Sequence, residues 1–420
     1  VLGQMTKVLK PENPNQVSEI IEWSLGDELP LDIAGTNTKR NLGRPILGKY
    51  GDADNRVIGH TLELSQLNGI LLYEPEELVL TAEAGTPISD IEAAIAVNRQ
   101  QLAFEPMNLE RLYGNEGGTL GGVISCNLSG PRRFKSGAAR DHILGIKGVS
   151  GRGELFKSGG RVVKNVTGYD LSKLMTGSYG TLAALTEITI KVLPSPEDTR
   201  TLILIGLDDE LAQQAMTAAI NSSHEVSGAV HLPLTLAIQS SVANISSSQT
   251  AITGLRLEGF GPSVDARIEA LRINLKKYGD LEELDREDSV VFWSEVRDVR
   301  PFQKENRVLW RMLVTPSLSP LIVKNIRSEY EGEAFYDWGG GLIWYSMNQS
   351  SEDCGAQKVR STIQNNGGGH ATLIRADDIS RSQVEVFQPQ PKALAALSSR
   401  VKKSFDPKRI MNPDRMYLGV

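Results

Sequence analysis

Along the first two hundred residues the apolar positions switch repeatedly between two periods. Val17, Ile20, Ile21 and Leu25 share one helical face after Pro14, so the pattern predicts a helix over 14–25. A short apolar run, Leu31 to Ile33, then predicts a strand that ends abruptly in "AGTNTKRNLGR". "ELVLTAEAGTPISDIEAAIAVN" repeats the scheme, with a strand over 78–82, a Gly-Thr turn, and a helix with Pro87 near its start. Residues 114–130, "GNEGGTLGGVISCNLSG", are too rich in glycine for a helix or a regular strand. The apolar Leu120, Val123 and Ile124 within them predict a packed, irregular path, with backbone running closely along a ligand. Strands over 143–149 and 187–192, a Gly-Gly turn, and a helix from near Asp170 follow, and Pro194 and Pro196 close a first domain over 1–196.

From 197 to 390 the style changes. Strands near 201–206, 251–258, 307–314, 333–337, 341–346 and 370–375 alternate with helices near 209–221, 263–277 and 317–329. This pattern predicts a separate α+β domain built on an antiparallel sheet. The last segment, 391–420, holds a basic helix over Lys392 to Lys403 and then "FDPKRIMNPDRMY", a rigid irregular stretch that returns to the first domain.

Composition narrows the function classes. The 420 residues carry a net charge of −6 from interspersed side chains, which leaves no footprint for nucleic acid or an anionic membrane. Cys126 and Cys354 stand far apart, so this chain alone holds neither a disulfide framework nor an iron–sulfur cluster. The histidines (His60, His142, His224, His231, His370) include no close pair with metal-ligand spacing, and no metal site is expected. His224 and His231 read as structural or exposed. The uncharged stretch from Val226 to Leu255 is broken by polar residues and Pro233, too soon for the roughly 20 apolar residues of a membrane span. Nothing resembles a signal peptide, and a cytoplasmic location is expected, at a membrane only through a partner subunit.

The loop after Leu31 to Ile33 raises the first chemical question. A strand running into Gly-Thr-Asn-Thr-Lys offers backbone N–H groups and short polar side chains to one spot, as an anion site does. It matches neither G-x-G-x-x-G nor G-x-x-x-x-G-K-[ST], and by itself it is as readily a polar turn.

Four ordered stretches together carry a resemblance: "IAGTNTKRNLG", "TLGGVISCNLSGPRRFKSGAARDHILG", "GGRVVKNVTGYDLSKLMTGSYGTLAALTEITIKV" and "FDPKRIMNP". The chain resembles the p-cresol methylhydroxylase (PCMH)/vanillyl-alcohol oxidase superfamily and, within it, the FAD-binding subunits of glycolate oxidase (glycolate dehydrogenase). The resemblance is strong over 7–196 and more diffuse at "LWR", "DWGGGLIWYS" and "GGHATLIRA". It implies an α+β fold, with a two-subdomain PCMH-type FAD-binding domain and an α+β cap domain. It also implies that Gly35, Thr36, Asn37, Thr38 and Lys39 wrap the FAD pyrophosphate through their backbone. In place of the family's run of glycines, Thr36 and Asn37 must accept dihedrals that glycine takes freely. By the same resemblance Thr119, Leu120, Gly121 and Gly122 line the flavin and its ribityl chain, with Asn127, Gly130 and Arg140 along that path. Gly180, Thr181 and Ala184 face the pyrimidine edge, and Asn412 and Arg415 bring the tail back to the flavin. Lys164 and Tyr169 are expected to position rather than react. Covalent members tether FAD through His or Cys; the opening loop has neither, and Cys126 reads as a small packed residue, so FAD is expected to be non-covalent.

Oxidising a 2-hydroxy acid needs the Cα–H over the flavin, a base for the hydroxyl proton and a cation for the carboxylate. Related catalytic subunits carry an H-x-G-D-G-N-x-H-like motif. Here "NNGGGHATLIRA" keeps only His370, the candidate base, with Arg311, Trp338 and Arg375 as candidate substrate contacts and Trp344 as a further wall. The resemblance implies the FAD subunit of a multi-subunit glycolate dehydrogenase, with a second flavoprotein subunit and an iron–sulfur subunit as partners. A stand-alone D-2-hydroxy-acid (lactate-type) dehydrogenase and a non-catalytic flavoprotein scaffold are the alternatives.

Overall fold

The computed structural model of the chain describes residues 7–46, 49–50, 56–57, 59–114, 117–161, 168–304, 306–348 and 351–420. They form two compact units: Val1–Leu128 with Ala138–Pro194 and Pro389–Val420, and Ser129–Gly137 with Ser195–Gln388.

The first unit contains two sheets. A parallel sheet of three strands runs Val8–Leu9, His60–Glu63, Leu31–Ala34. The helix Pro14–Asp27 packs on it; Asn13 caps its N-terminus by accepting from the Gln16 N–H at 3.0 Å, and Pro14 takes the first turn, where its missing N–H costs nothing. Val17 and Ile21 from this helix meet Leu31, Leu62, Ile410 and Met411, all at most 1% exposed. The tail is therefore part of this core. An antiparallel sheet of five strands has the order Leu155–Gly159, Ile143–Ser150, Ala183–Lys191, Val79–Glu83, Ile70–Glu74. Leu80, Ile188 and Ile190 on it pack with Ile91 and Ile95 of the helix Ile88–Ala96.

The glycine-rich tract departs from the sequence expectation: Leu120–Cys126 is a helix. Leu120, Val123 and Ile124 fall at i, i+3 and i+4, bury fully, and join the core of the five-stranded sheet. Thr119 caps the start by accepting from the Gly122 N–H, so packing and a cap override the poor helix propensity of Gly121 and Gly122.

The second unit is built on one antiparallel sheet of eight strands, in the order Leu281–Leu284, Asp198–Ile205, Ile252–Gly259, Gly228–Leu232, Gly332–Asp337, Leu342–Met347, Val308–Val314, Gly369–Arg375. Gly228–Leu232, Leu281–Leu284 and the helices Arg286–Arg297 and Ala356–Asn365 add to the elements the sequence pattern predicted. Charged side chains crowd the helix Arg286–Arg297 and mask its apolar stripe, although Phe292, Trp293 and Val296 bury one face. His231, in the uncharged stretch, is buried and bonds Thr253 through Nδ1 at 2.9 Å. Among the described residues, no helix is long and apolar enough to cross a membrane.

The helix Lys392–Phe405 ends on a completely buried ion pair, Lys402 with Asp406, at 2.8 Å. The Lys402 ammonium also donates to the carbonyls of Thr181 (2.6 Å) and Met411 (2.7 Å). Asp406 accepts from the N–H groups of Ile410 and Met411. Burial pulls the Lys402 amine below the ordinary lysine range, and the Asp406 charge opposes that pull. Each partner is thus satisfied only while the other is charged and present. Lys402→Met should cost the chain roughly 3–5 kcal/mol in urea unfolding, the usual penalty for leaving one buried charge alone. A loss below about 1 kcal/mol would show that the pair is not a structural anchor.

Candidate functional site

Four segments distant in sequence converge on one cleft of the first unit: the loop after Leu31–Ala34, the start of the helix Leu120–Cys126, the Tyr179–Gly180 turn, and the tail at Asn412 and Arg415. The strand turns into its loop at Asn37, which takes a left-handed φ of 63° that Asn tolerates. Thr36 does not share this strain; its hydroxyl donates to the Gly117 carbonyl instead. A Cβ at Gly35 would stand 2.4 Å from Thr119 Oγ1, so glycine is what lets the loop touch the helix start. Asn412 ties two of the segments together. Its carboxamide accepts from the Ile33 N–H and donates to the Tyr179 carbonyl, each at 2.7 Å. Arg415 closes the far end of the loop by donating to the carbonyls of Arg40 (2.6 Å) and Lys39 (3.2 Å).

The donors left over define what the cleft can hold. Thr38 and Lys39 are 5% and 9% exposed, yet their backbone N–H groups reach no acceptor among the described residues. Buried amides rarely stay so. Beside them the Lys39 ammonium contacts Thr38 Oγ1 at 3.2 Å, and burial pushes it below the ordinary lysine range against a small opposing effect of Cys126. Cys126 lines the same cleft rather than simply filling core; burial raises its thiol to about 11, with Lys39 and Arg415 pulling the other way. Amides, hydroxyls and an ammonium at one end suit a diphosphate. Ala84, Ala183 and Leu185, with the close backbone of Gly121 and Gly180, suit the flat face of a ring. The residues present therefore fit FAD.

Eleven of the residues singled out from the sequence line this cleft: Gly35, Thr36, Asn37, Thr38, Lys39, Thr119, Gly121, Gly122, Gly180, Asn412 and Arg415. The others do not. Leu120 and Ala184 are core side chains with no exposure. Thr181 turns its hydroxyl to the Ser178 carbonyl and its own carbonyl to Lys402. Asn127 caps the helix end with φ 51° and accepts from the Arg140 N–H, and the Arg140 residue is exposed. Gly130 belongs to the loop 129–137 of the second unit. Tyr169, expected to position a ligand, stands in solvent at 92% exposure, and Lys164 lies outside the described residues. Tyr179, with φ 54°, was missed; it precedes a glycine in "GSYGT", where a left-handed turn needs two permissive positions.

In the second unit Arg311 and Trp338 come together. The Arg311 guanidinium lies 5.2 Å from the centre of the Trp338 ring and 5.9 Å from that of Trp344. Arg133 lies 4.8 Å from the Trp338 ring, so two cations flank one indole. Arg133 went unnoticed in the sequence; the doubled arginine after Gly130-Pro131 was the available signal. Trp338 itself has φ 51°, which a bulky residue adopts only under constraint. Asp337 accepts from its N–H at 2.7 Å, and its indole N–H donates to the Gly130 carbonyl at 3.1 Å. Arg132, next to Arg133, makes a bidentate pair with Glu258 at 2.6 and 2.8 Å that fixes the loop. Although burial opposes it, the Arg256 and Arg132 charges hold the Glu258 carboxyl down at about 2.

His370 is exposed on the strand Gly369–Arg375, opposite Leu313 and two residues from Thr372, which pairs with Arg311. The alternation of an antiparallel pair puts His370 and Arg311 on the same sheet face. Arg375 does not join them. Its guanidinium is committed to the carbonyls of Phe302 (2.6 Å) and Arg307 (2.8 Å).

Residues 5–159 match the family described as "FAD binding domain". The chain is 35% identical over 401 residues to the glycolate oxidase subunit GlcE of Escherichia coli, covering 95% of this chain and 96% of that one. The glycolate oxidase subunit GlcD of Bacillus subtilis is 29% identical over 213 residues, 51% of this chain and 42% of GlcD. Among solved structures, p-cresol methylhydroxylase with substrate bound superposes with a TM-score of 0.71 at 13% identity, over 98% of this chain and 88% of that one, a likeness of fold. The cleft, the matched domain and the near full-length likeness agree: the chain belongs to the GlcE family of FAD-binding oxidoreductase subunits, on a PCMH-type fold.

Proposed function

We propose that this chain is the FAD-binding subunit of a multi-subunit glycolate dehydrogenase, taking part in the oxidation of glycolate to glyoxylate. The observation that carries the reading is the cleft itself, whose unbonded buried amides and unpaired Lys39 ammonium await an anionic cofactor, in a chain alike to GlcE over almost its whole length. Bound there, FAD would supply the two-electron acceptor. Asn37 and the amides of Thr38 and Lys39 would orient its diphosphate, and Asn412 would keep the Tyr179–Gly180 turn against the ring. Arg311, with Trp338 and Trp344, is the proposed cation for the substrate carboxylate, and His370 the proposed acceptor of the hydroxyl proton. Arg375 is left out of that pocket because its guanidinium is used to hold the sheet edge.

One observation favours a second reading. Among the described residues the exposed His370 side chain has no carboxylate or hydroxyl to orient it, whereas a catalytic base is normally held by a third group. On that reading a companion flavoprotein subunit performs the substrate chemistry and this chain relays electrons, with an iron–sulfur subunit as the onward acceptor.

One measurement tests the cofactor that both readings share, and a second separates them. The chain should purify yellow and release intact FAD on acid or heat denaturation; flavin that stays on the denatured protein would contradict non-covalent binding. Under anaerobic conditions glycolate should bleach the flavin, and His370→Gln should slow that bleaching about 10²–10⁴-fold with FAD content unchanged, the usual worth of a positioned base. An unslowed variant removes His370 as the base. Bleaching that requires the companion subunit and ignores the substitution assigns the chemistry to that subunit.

A further inference from the structure

The Lys39 side chain is a buried charge that no carboxylate among the described residues answers. Its residue is 9% exposed, and no carboxylate among the described residues lies within ion-pair distance of the ammonium, whose one contact is the neutral Thr38 hydroxyl. Two other buried cations have a carboxylate partner: Lys402 with Asp406 at 2.8 Å, and Arg256 with Glu258 at 3.5 Å, while the Arg415 guanidinium is held by carbonyls. An isolated buried ammonium is strongly unfavourable, and proteins keep one where a ligand supplies the opposite charge.

The surroundings are cut to fit this side chain. A Cβ on Gly118 would lie 2.8 Å from Lys39 Nζ, and one on Gly122 would lie 3.3 Å from its Cδ. The glycine-rich tract 114–130 thus clears the path of the lysine stem, beyond any closeness to a ligand. Lys39 lines the cleft together with Thr38, and the backbone amides of both are unbonded among the described residues. Arg415 and Cys126 also face this end, but the Arg415 guanidinium is engaged with the Lys39 and Arg40 carbonyls, and Cys126 is held as the neutral thiol.

We propose that the Lys39 ammonium is the counter-charge of the cofactor's diphosphate, and that the apoprotein carries it as a destabilising, ligand-awaiting charge. This rests on the FAD reading of the cleft and adds to it a side-chain role distinct from the backbone cradle. Two consequences go together and are unusual in combination. Removing the charge harms binding of ligands that contain the diphosphate, and it relieves the apoprotein.

The test uses the full-length apoprotein, with Lys39→Met and Lys39→Arg compared with the parent by titration with FAD, riboflavin and inorganic pyrophosphate, and by thermal melting. Lys39→Met should weaken FAD roughly 10- to 100-fold, as loss of a desolvated charge-assisted contact does, and abolish competition by pyrophosphate. Riboflavin, which lacks the diphosphate, should bind within about twofold of the parent, and the apoprotein should melt at the same temperature or higher. Lys39→Arg should retain most of the FAD affinity. Equal losses of FAD and riboflavin, persistent competition by pyrophosphate, or a lower melting temperature of Lys39→Met apoprotein would each overturn the proposal and make Lys39 a packing residue. A parent chain that binds neither FAD nor pyrophosphate would overturn the FAD reading, and the lysine role with it.

Discussion

The buried pair of Lys402 and Asp406 is the constraint on which the cofactor cleft depends. Neither charge can be left alone in the interior, so the C-terminal helix and the tail after it are locked to one arrangement. That arrangement delivers three things at once. Lys402 grips the Thr181 carbonyl and so fixes the turn at Tyr179 and Gly180. Asp406 curls the chain so that Ile410 and Met411 enter the core against Leu31. Asn412 then lands between the Leu31 strand and the turn, bonding both. Residues separated by several hundred positions become one wall. The ion pair contributes register rather than bulk stability, since a well-packed apolar pair of the same volume would serve stability as well.

Much of this was legible in the sequence, and the failures have physical causes. The strands around Leu31, Val79 and Ile143 were readable because apolar positions recur at the right period and glycine or proline ends them. The opening loop by itself read either as an anion cradle or as a polar turn, and of the two residues expected to take unusual dihedrals only Asn37 does so. The helix Leu120–Cys126 was not readable, because propensity counts the glycines while the structure rewards the buried face and the Thr119 cap. Nothing local in the sequence marks Lys402 and Asp406, charges at i, i+4, as fully buried. The same holds for Lys39, whose side chain is buried although nothing local in the sequence marks it so.

The second unit shows a different kind of information. Trp338, flanked by Arg133 and Arg311 and held at positive φ by Asp337 and the Gly130 carbonyl, is where backbone strain and cations coincide. Strain of that kind persists only where surrounding contacts over-determine it, and it concentrates at ligand sites. Arg375, an equally plausible candidate in the sequence, is spent on carbonyls at the sheet edge. Sequence offers an arginine in each case; the ring contacts of Arg311 and the carbonyl bonds of Arg375 are what distinguish them.

Four separate segments of one unit form the cleft proposed to hold FAD. Hydrogen–deuterium exchange of the apoprotein with and without FAD tests this proposal most directly, because exchange reports backbone protection segment by segment. Added FAD should slow exchange at 34–40, 117–122, 178–181 and 410–415 together, with the amides of Thr38 and Lys39 among those most affected. Protection absent from these four segments, or concentrated instead on strands of the second unit such as 252–259 and 308–314, would contradict the account.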